Sequence, residues 1–136
     1  MRRCLLVVPT GSGVGLTSVS LGILRSLDRQ GVKAGFVRPV QVRRGSDPSG
    51  DLLTRVANQQ PPAPVGRDEA EALLADGQDD VLLERVVSMV ESVAADASVV
   101  VVEGCVPVPG VAYATRLNVA MAAALDAEMV VVGAMD

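Results

Sequence analysis

The chain has 136 residues, 49% of them apolar, and a formal charge of −4, which fits one globular domain over residues 1–136, or a part of one. Its twelve cations are scattered singly or in pairs and its only rings are Phe36 and Tyr113, so it has neither the basic stripe nor the stacking platform that nucleic acid requires. Histidine is absent, which removes the usual neutral-pH acid and base and the commonest metal ligand.

Arg2 and Arg3 ahead of an apolar run imitate the opening of a signal peptide, but the run is too short and ends at Pro9. No other stretch approaches a membrane span, and a cytoplasmic protein is expected. That first run, residues 4–8, reads as a parallel strand covered on both faces. Residues 16–30 follow as a helix, with Leu21, Leu24 and Leu27 at core-facing spacing and Gly31 as its stop. Residues 33–37 form a second strand that leaves through Arg38-Pro39 into a polar loop over residues 41–50.

A short helix is expected over residues 51–57, after which Pro61, Pro62 and Pro64 break regular structure. Two further helices are predicted over residues 68–75 and 79–94. In the second, Leu82, Leu83, Val86, Val87, Val90 and Val93 make an apolar stripe, and Asp79, Asp80, Glu84 and Glu91 stay on a solvated face. Residues 98–102, four valines in five positions, form a third strand ending at Glu103-Gly104. A loop with Pro107, Pro109 and Gly110 then leads to a helix over residues 115–125 and a fourth strand over residues 129–132. The alternation of strands and helices predicts an α/β fold, a parallel sheet with helices on both faces. Cys4 and Cys105 lie in or beside buried strands without the spacing of a zinc or redox motif, and read as core residues. Because the chain stops four residues beyond an apolar strand, the domain is expected to be incomplete at its C-terminus and to be the N-terminal piece of a longer polypeptide.

The chemistry is concentrated in Thr10, Gly11, Ser12, Gly13, Val14, Gly15, Leu16, Thr17 and Ser18, a glycine-rich loop between a buried strand and a helix. It has the layout of the phosphate-binding motif GxxxxGK[ST], with Thr10 in the place of the first glycine and Leu16 in the place of the lysine. The two halves of such a loop do separable work. Backbone N–H groups at a helix N-terminus cradle an anion without any side chain. The lysine adds a charged hydrogen bond worth roughly 1.5–3 kcal/mol, and here it is missing. A strand-to-helix turn without a ligand is the competing reading.

Ligands of open parallel sheets sit beyond the carboxyl ends of the strands. Arg38 emerges there and could hold an anion bidentately, or pair with Asp47 or Asp51. Thr17, Asp51 and Glu103 could hold Mg2+ through oxygen ligands. Asp51 could equally cap a helix, and Glu103 could belong to a buried polar network.

Taken together, residues 6–18, the segment Val37-Arg38-Pro39-Val40, residues 101–107 and Leu117-Asn118 followed by Ala127-Glu128 resemble the N-terminal domain of long-form bacterial phosphate acetyltransferase, over essentially the whole chain. Leucine in the lysine slot is the form that domain takes. The domain is itself similar to dethiobiotin synthetase, an ATP-dependent enzyme of the P-loop class. That similarity implies a P-loop NTPase-like fold and a Mg2+ set of Thr17, Asp51 and Glu103. It also implies strand order 2-3-1-4, and Arg38 where both relatives end the second strand with lysine. The resemblance to phosphate acetyltransferase implies a non-catalytic regulatory and assembly domain that tunes the enzyme's response to metabolites. The effector stays open among a nucleotide such as ATP, a dinucleotide and an organic acid, since a backbone cradle accepts any anion of suitable size. Its partners would be a C-terminal acetyltransferase domain of the same polypeptide and other copies in a homo-oligomer. An ATP- and Mg-dependent ligase of the dethiobiotin synthetase type is the alternative.

Overall fold

A computed structural model describes residues 3–11, 15–42 and 60–133. Four parallel strands form the sheet: β1 (Arg3–Pro9), β2 (Ala34–Val37), β5 (Val99–Glu103) and β6 (Glu128–Val132), in the order β2-β5-β1-β6. This is the order 2-3-1-4 expected for the four strands read from the sequence. The helix α1 (Leu16–Arg29) joins β1 to β2, α2 (Arg67–Ala75) and α3 (Asp79–Ala94) precede β5, and α4 (Ala114–Leu125) joins β5 to β6.

Alternation along each strand explains why the strands are apolar throughout. Val7, Phe36 and Val101 point to one face and pack with Leu16, Leu24 and Val132. Leu6, Val8, Val37, Val100 and Val102 point to the other face, against Leu82, Val86 and Val90 of α3 and Leu117 and Met121 of α4. The helices therefore cover both faces of the sheet. The stripe read in α3 is the one that is buried, with Leu82 and Val86 fully enclosed.

The central strands β5 and β1 are enclosed, whereas β6 lies at an edge and leaves Met129 and Val131 exposed. Arg3 donates from Nε and Nη2 to the two carboxylate oxygens of Glu128, each at 2.8 Å, tying the start of β1 to β6. This pair is exposed and holds the Glu128 carboxyl below its ordinary range. On the other side of the molecule Tyr113 donates from its hydroxyl to Glu71 Oε2 at 3.3 Å, and Arg67 Nε donates to the same oxygen at 3.1 Å. The Tyr113 bond fastens the start of α4 to α2, and the Arg67 bond, within α2, holds the Glu71 carboxylate that receives it.

One element was not expected. Val40–Gln41 (β3) and Val65–Gly66 (β4) form a separate two-stranded parallel sheet. It starts where the Val65 N–H donates to the Pro39 carbonyl at 2.8 Å, and Val40, Val42 and Val65 bury their side chains in the larger core cluster. Two-residue strands carry too little pattern to be read from sequence. The helix expected over residues 51–57 and most of the polar loop before it lie outside the described residues.

Candidate functional site

The carboxyl ends of the strands bring together Thr10 after β1, Arg38 after β2, Glu103 at the end of β5 and Gly133 after β6. Backbone bonds lock these ends to one another. The Thr10 N–H donates to the Val132 carbonyl at 2.9 Å and the Gly104 N–H to the Val7 carbonyl at 2.8 Å.

The glycine-rich loop is described at both of its ends. Gly15 takes φ +82° as it enters α1, a left-handed conformation that costs other residues and that glycine adopts freely. Among the described residues no side chain caps α1, and its first turn holds no acidic residue. A helix N-terminus of this kind is where the backbone cradle of a phosphate-binding loop forms. Thr17 is half-buried and Ser18 exposed in the same turn. Ser12, Gly13 and Val14 lie outside the described residues.

Leu16 holds a different position from the one its place in the motif suggests. Its side chain is 6% exposed and packs with Val7, Phe36, Val101 and Val132 beneath α1. The residue in the lysine slot is a core residue, so what it offers to a ligand is its backbone N–H.

Arg38 and Glu103 meet directly. Arg38 Nη2 and Nε donate to Glu103 Oε1 at 2.8 and 3.1 Å, with side chains only 12% and 5% exposed. The sheet explains the encounter. Glu103 is opposite Val7 in register and two residues from Val101, so it points to the α1 face. Arg38, two residues beyond Phe36, leaves the neighbouring strand on the same face. Sequence reasoning offered Asp47 or Asp51 as partners because they are close along the chain, and both lie outside the described residues. Glu103 becomes the neighbour only because β5 inserts beside β2. Breaking such a pair from one side leaves a buried charge uncompensated, at a cost of about 3–5 kcal/mol.

Asn118 is the residue whose role the sequence left unread. It is 5% exposed on α4, where its Oδ1 accepts from the Cys105 N–H at 2.7 Å and its Nδ2 donates to the Cys105 carbonyl at 2.9 Å. The side chain thus stands in for a strand at the point where β5 ends, two residues after Glu103. Gly104 permits this approach, since a Cβ there would lie 2.8 Å from Asn118 Oδ1 and 2.9 Å from Val8 Cγ1. A polar residue on the stripe Ala114, Leu117, Met121 was the available signal.

Of the proposed metal set, Thr17 and Glu103 are described and Asp51 is not. Among the described residues no three acidic or thiol side chains gather as a metal group. Burial pushes the Cys105 thiol up to about 12 and the Cys4 thiol to about 11, so both stay protonated at neutral pH and neither is a ready nucleophile.

Comparison with known proteins gives the family. The family described as AAA domain matches residues 3–136. The phosphate acetyltransferase of Pseudomonas aeruginosa is 44% identical over 132 residues, which cover 94% of this chain and 19% of that protein. The phosphate acetyltransferases of Nitrosomonas europaea and Salmonella typhimurium are 42% and 41% identical over 96% and 97% of this chain, again 19% of theirs. The chain therefore spans about a fifth of the length of the curated relatives it matches. It belongs to the AAA-domain family, as a P-loop-like domain that matches the N-terminal region of phosphate acetyltransferases.

Proposed function

We propose that this chain is the regulatory and assembly domain of a phosphate acetyltransferase, the enzyme that interconverts acetyl-CoA and phosphate with acetyl phosphate and CoA. It takes no part in acyl transfer itself. The observation that carries this reading is Leu16, packed in the core where a nucleotide-hydrolysing loop presents a lysine to the terminal phosphates. In this reading the glycine-rich loop of Thr10, Gly11, Ser12, Gly13, Val14, Gly15, Leu16, Thr17 and Ser18, together with Arg38, binds an anionic effector such as a nucleotide or dinucleotide. Acyl transfer then belongs to the remaining four-fifths of a longer, oligomeric cytoplasmic enzyme.

Two measurements test the proposal. The purified chain given acetyl-CoA and phosphate is expected to form no acetyl phosphate above a heat-killed control, and stoichiometric product would refute it. Removing residues 1–136 from the longer enzyme is expected to leave transferase activity while changing its oligomeric state and its response to nucleotides. A truncated enzyme that assembles and responds as before would sink the regulatory role. ATP-dependent carboxylate activation by the chain alone would favour the dethiobiotin synthetase-like ligase.

A further inference from the structure

Away from the strand ends, the helices on the two faces of the sheet carry outer surfaces of opposite charge. α3 and α4 pack side by side, and between them runs a groove of about 530 Å³ lined by Asp80, Leu83, Glu84, Val87, Ser88 and Ala124. The five lining residues of α3 fall at i, i+3, i+4, i+7 and i+8, so they form one stripe beside the buried stripe of Leu82, Val86 and Val90. Leu83 and Val87 are half-buried and give the groove an apolar floor, to which Asp80 and Glu84 add two carboxylates. The neighbouring Asp79 pairs with Arg116 at 3.7 Å, whereas Asp80 and Glu84 have no ion pair among the described residues.

α1, on the other face of the sheet, shows the complement. Gly22, Arg25 and Arg29 are exposed on the side of α1 opposite its buried Leu16, Ser20 and Leu24, and neither arginine has an ion pair among the described residues. Glycine inside a helix costs about 0.5–1 kcal/mol against alanine, yet beyond its own stretch of helix no described atom lies within 4 Å of where a Gly22 Cβ would be. The fold itself does not ask for bare backbone there. We infer that the basic face of α1 docks in the acidic groove between α3 and α4 of a second copy of this chain. Because the two surfaces lie on opposite faces of one molecule, the contact is head-to-tail and repeats from copy to copy. Arg25 and Arg29 meet Asp80 and Glu84, which steers the encounter and sets its register, and Gly22 lets α1 settle over the apolar floor. The inference rests on the assembly role proposed above and names the surface that performs it.

Sedimentation velocity of the chain from about 5 µM to about 0.5 mM tests it, since a contact of this size is expected to hold in the micromolar to millimolar range. The sedimentation coefficient of wild type is expected to rise with concentration, and the rise to shrink as salt is brought to about 0.5 M. Asp80→Lys with Glu84→Lys, and separately Arg25→Glu with Arg29→Glu, are each expected to weaken association at least about tenfold. A one-to-one mixture of these two variants, or one chain carrying all four substitutions, is expected to recover it. Gly22→Leu puts a better helix former at an exposed position, so it should melt no lower than wild type and still associate at least about tenfold less; it decides the matter even if a charge reversal fails to fold. Wild type that stays monomeric at about 0.5 mM overturns the inference. Association that survives both charge reversals, or that Val131→Lys abolishes on the exposed edge of β6, also overturns it, because the contact would then lie elsewhere. All these variants leave the domain in place, whereas the assembly role is read by removing residues 1–136 from the longer enzyme, so the two readings fail separately.

Discussion

Replacing Asn118 by alanine removes the two bonds that the side chain makes to Cys105 and leaves a backbone N–H and a carbonyl without partners. Both belong to a residue that is 1% exposed, so each orphan costs about 1–3 kcal/mol. The sum is about 2–6 kcal/mol, and water entering the vacated space brings the expected loss to about 2–4 kcal/mol. For a domain of this size that corresponds to a fall in melting temperature of roughly 8–16 °C. The chain has no tryptophan, so the transition is best followed by far-ultraviolet circular dichroism in urea. Val119→Ala is the control, one residue along α4 but 56% exposed, and should stay within about 0.5 kcal/mol of wild type. Asn118→Asp separates the two bonds. Its carboxylate can still accept from the Cys105 N–H but faces the Cys105 carbonyl, which raises its pKa. Because the folded pKa is then the higher one, Asn118→Asp should be most stable at low pH and lose stability as pH rises through the carboxylate range near about 4. A loss below about 0.5 kcal/mol for Asn118→Ala would refute the clamp.

Leu16→Lys should cost about 2–3 kcal/mol by urea denaturation while Leu16→Met costs under about 1.5 kcal/mol. Equal stability of Leu16→Lys and wild type would mean that position 16 faces the loop and not the core. Gly104→Ala, whose Cβ would press on Asn118 Oδ1 and Val8 Cγ1, should lose about 1–3 kcal/mol, and far less in an Asn118→Ala background, where one of the two obstacles is gone. Both thiols are raised by burial from the ordinary 9.0, Cys105 to about 12 and Cys4 to about 11, and Tyr113 rises from 10.0 to about 12 by burial and then the charge of Glu71. Above pH 9 the unfolded chain therefore releases protons that the folded chain retains, so stability should fall from about pH 9 upward. Cys4→Ala with Cys105→Ala should flatten the first part of that decline, and an unchanged slope in the double variant would contradict the assignment.

The sequence by itself determined the secondary elements of the sheet and its faces. Runs such as Leu6-Val7-Val8 and Val99-Val100-Val101-Val102 are apolar at every position, which only a strand with helices on both sides can satisfy, and the stripe of α3 follows from its 3.6-residue period. The glycine-rich turn before α1 was also legible, because Gly15 answers a purely local demand for positive φ. Tertiary structure decided everything that depends on which elements become neighbours. Arg38 pairs with Glu103, 65 residues away, because β5 lies next to β2, and Leu16 drops into the core because α1 crosses over Val7 and Val101. Asn118 meets Cys105 because α4 folds back on the strand end that precedes it. Local pattern fixes what a residue prefers around itself, whereas these contacts are set by strand order and helix docking, which no window of sequence contains.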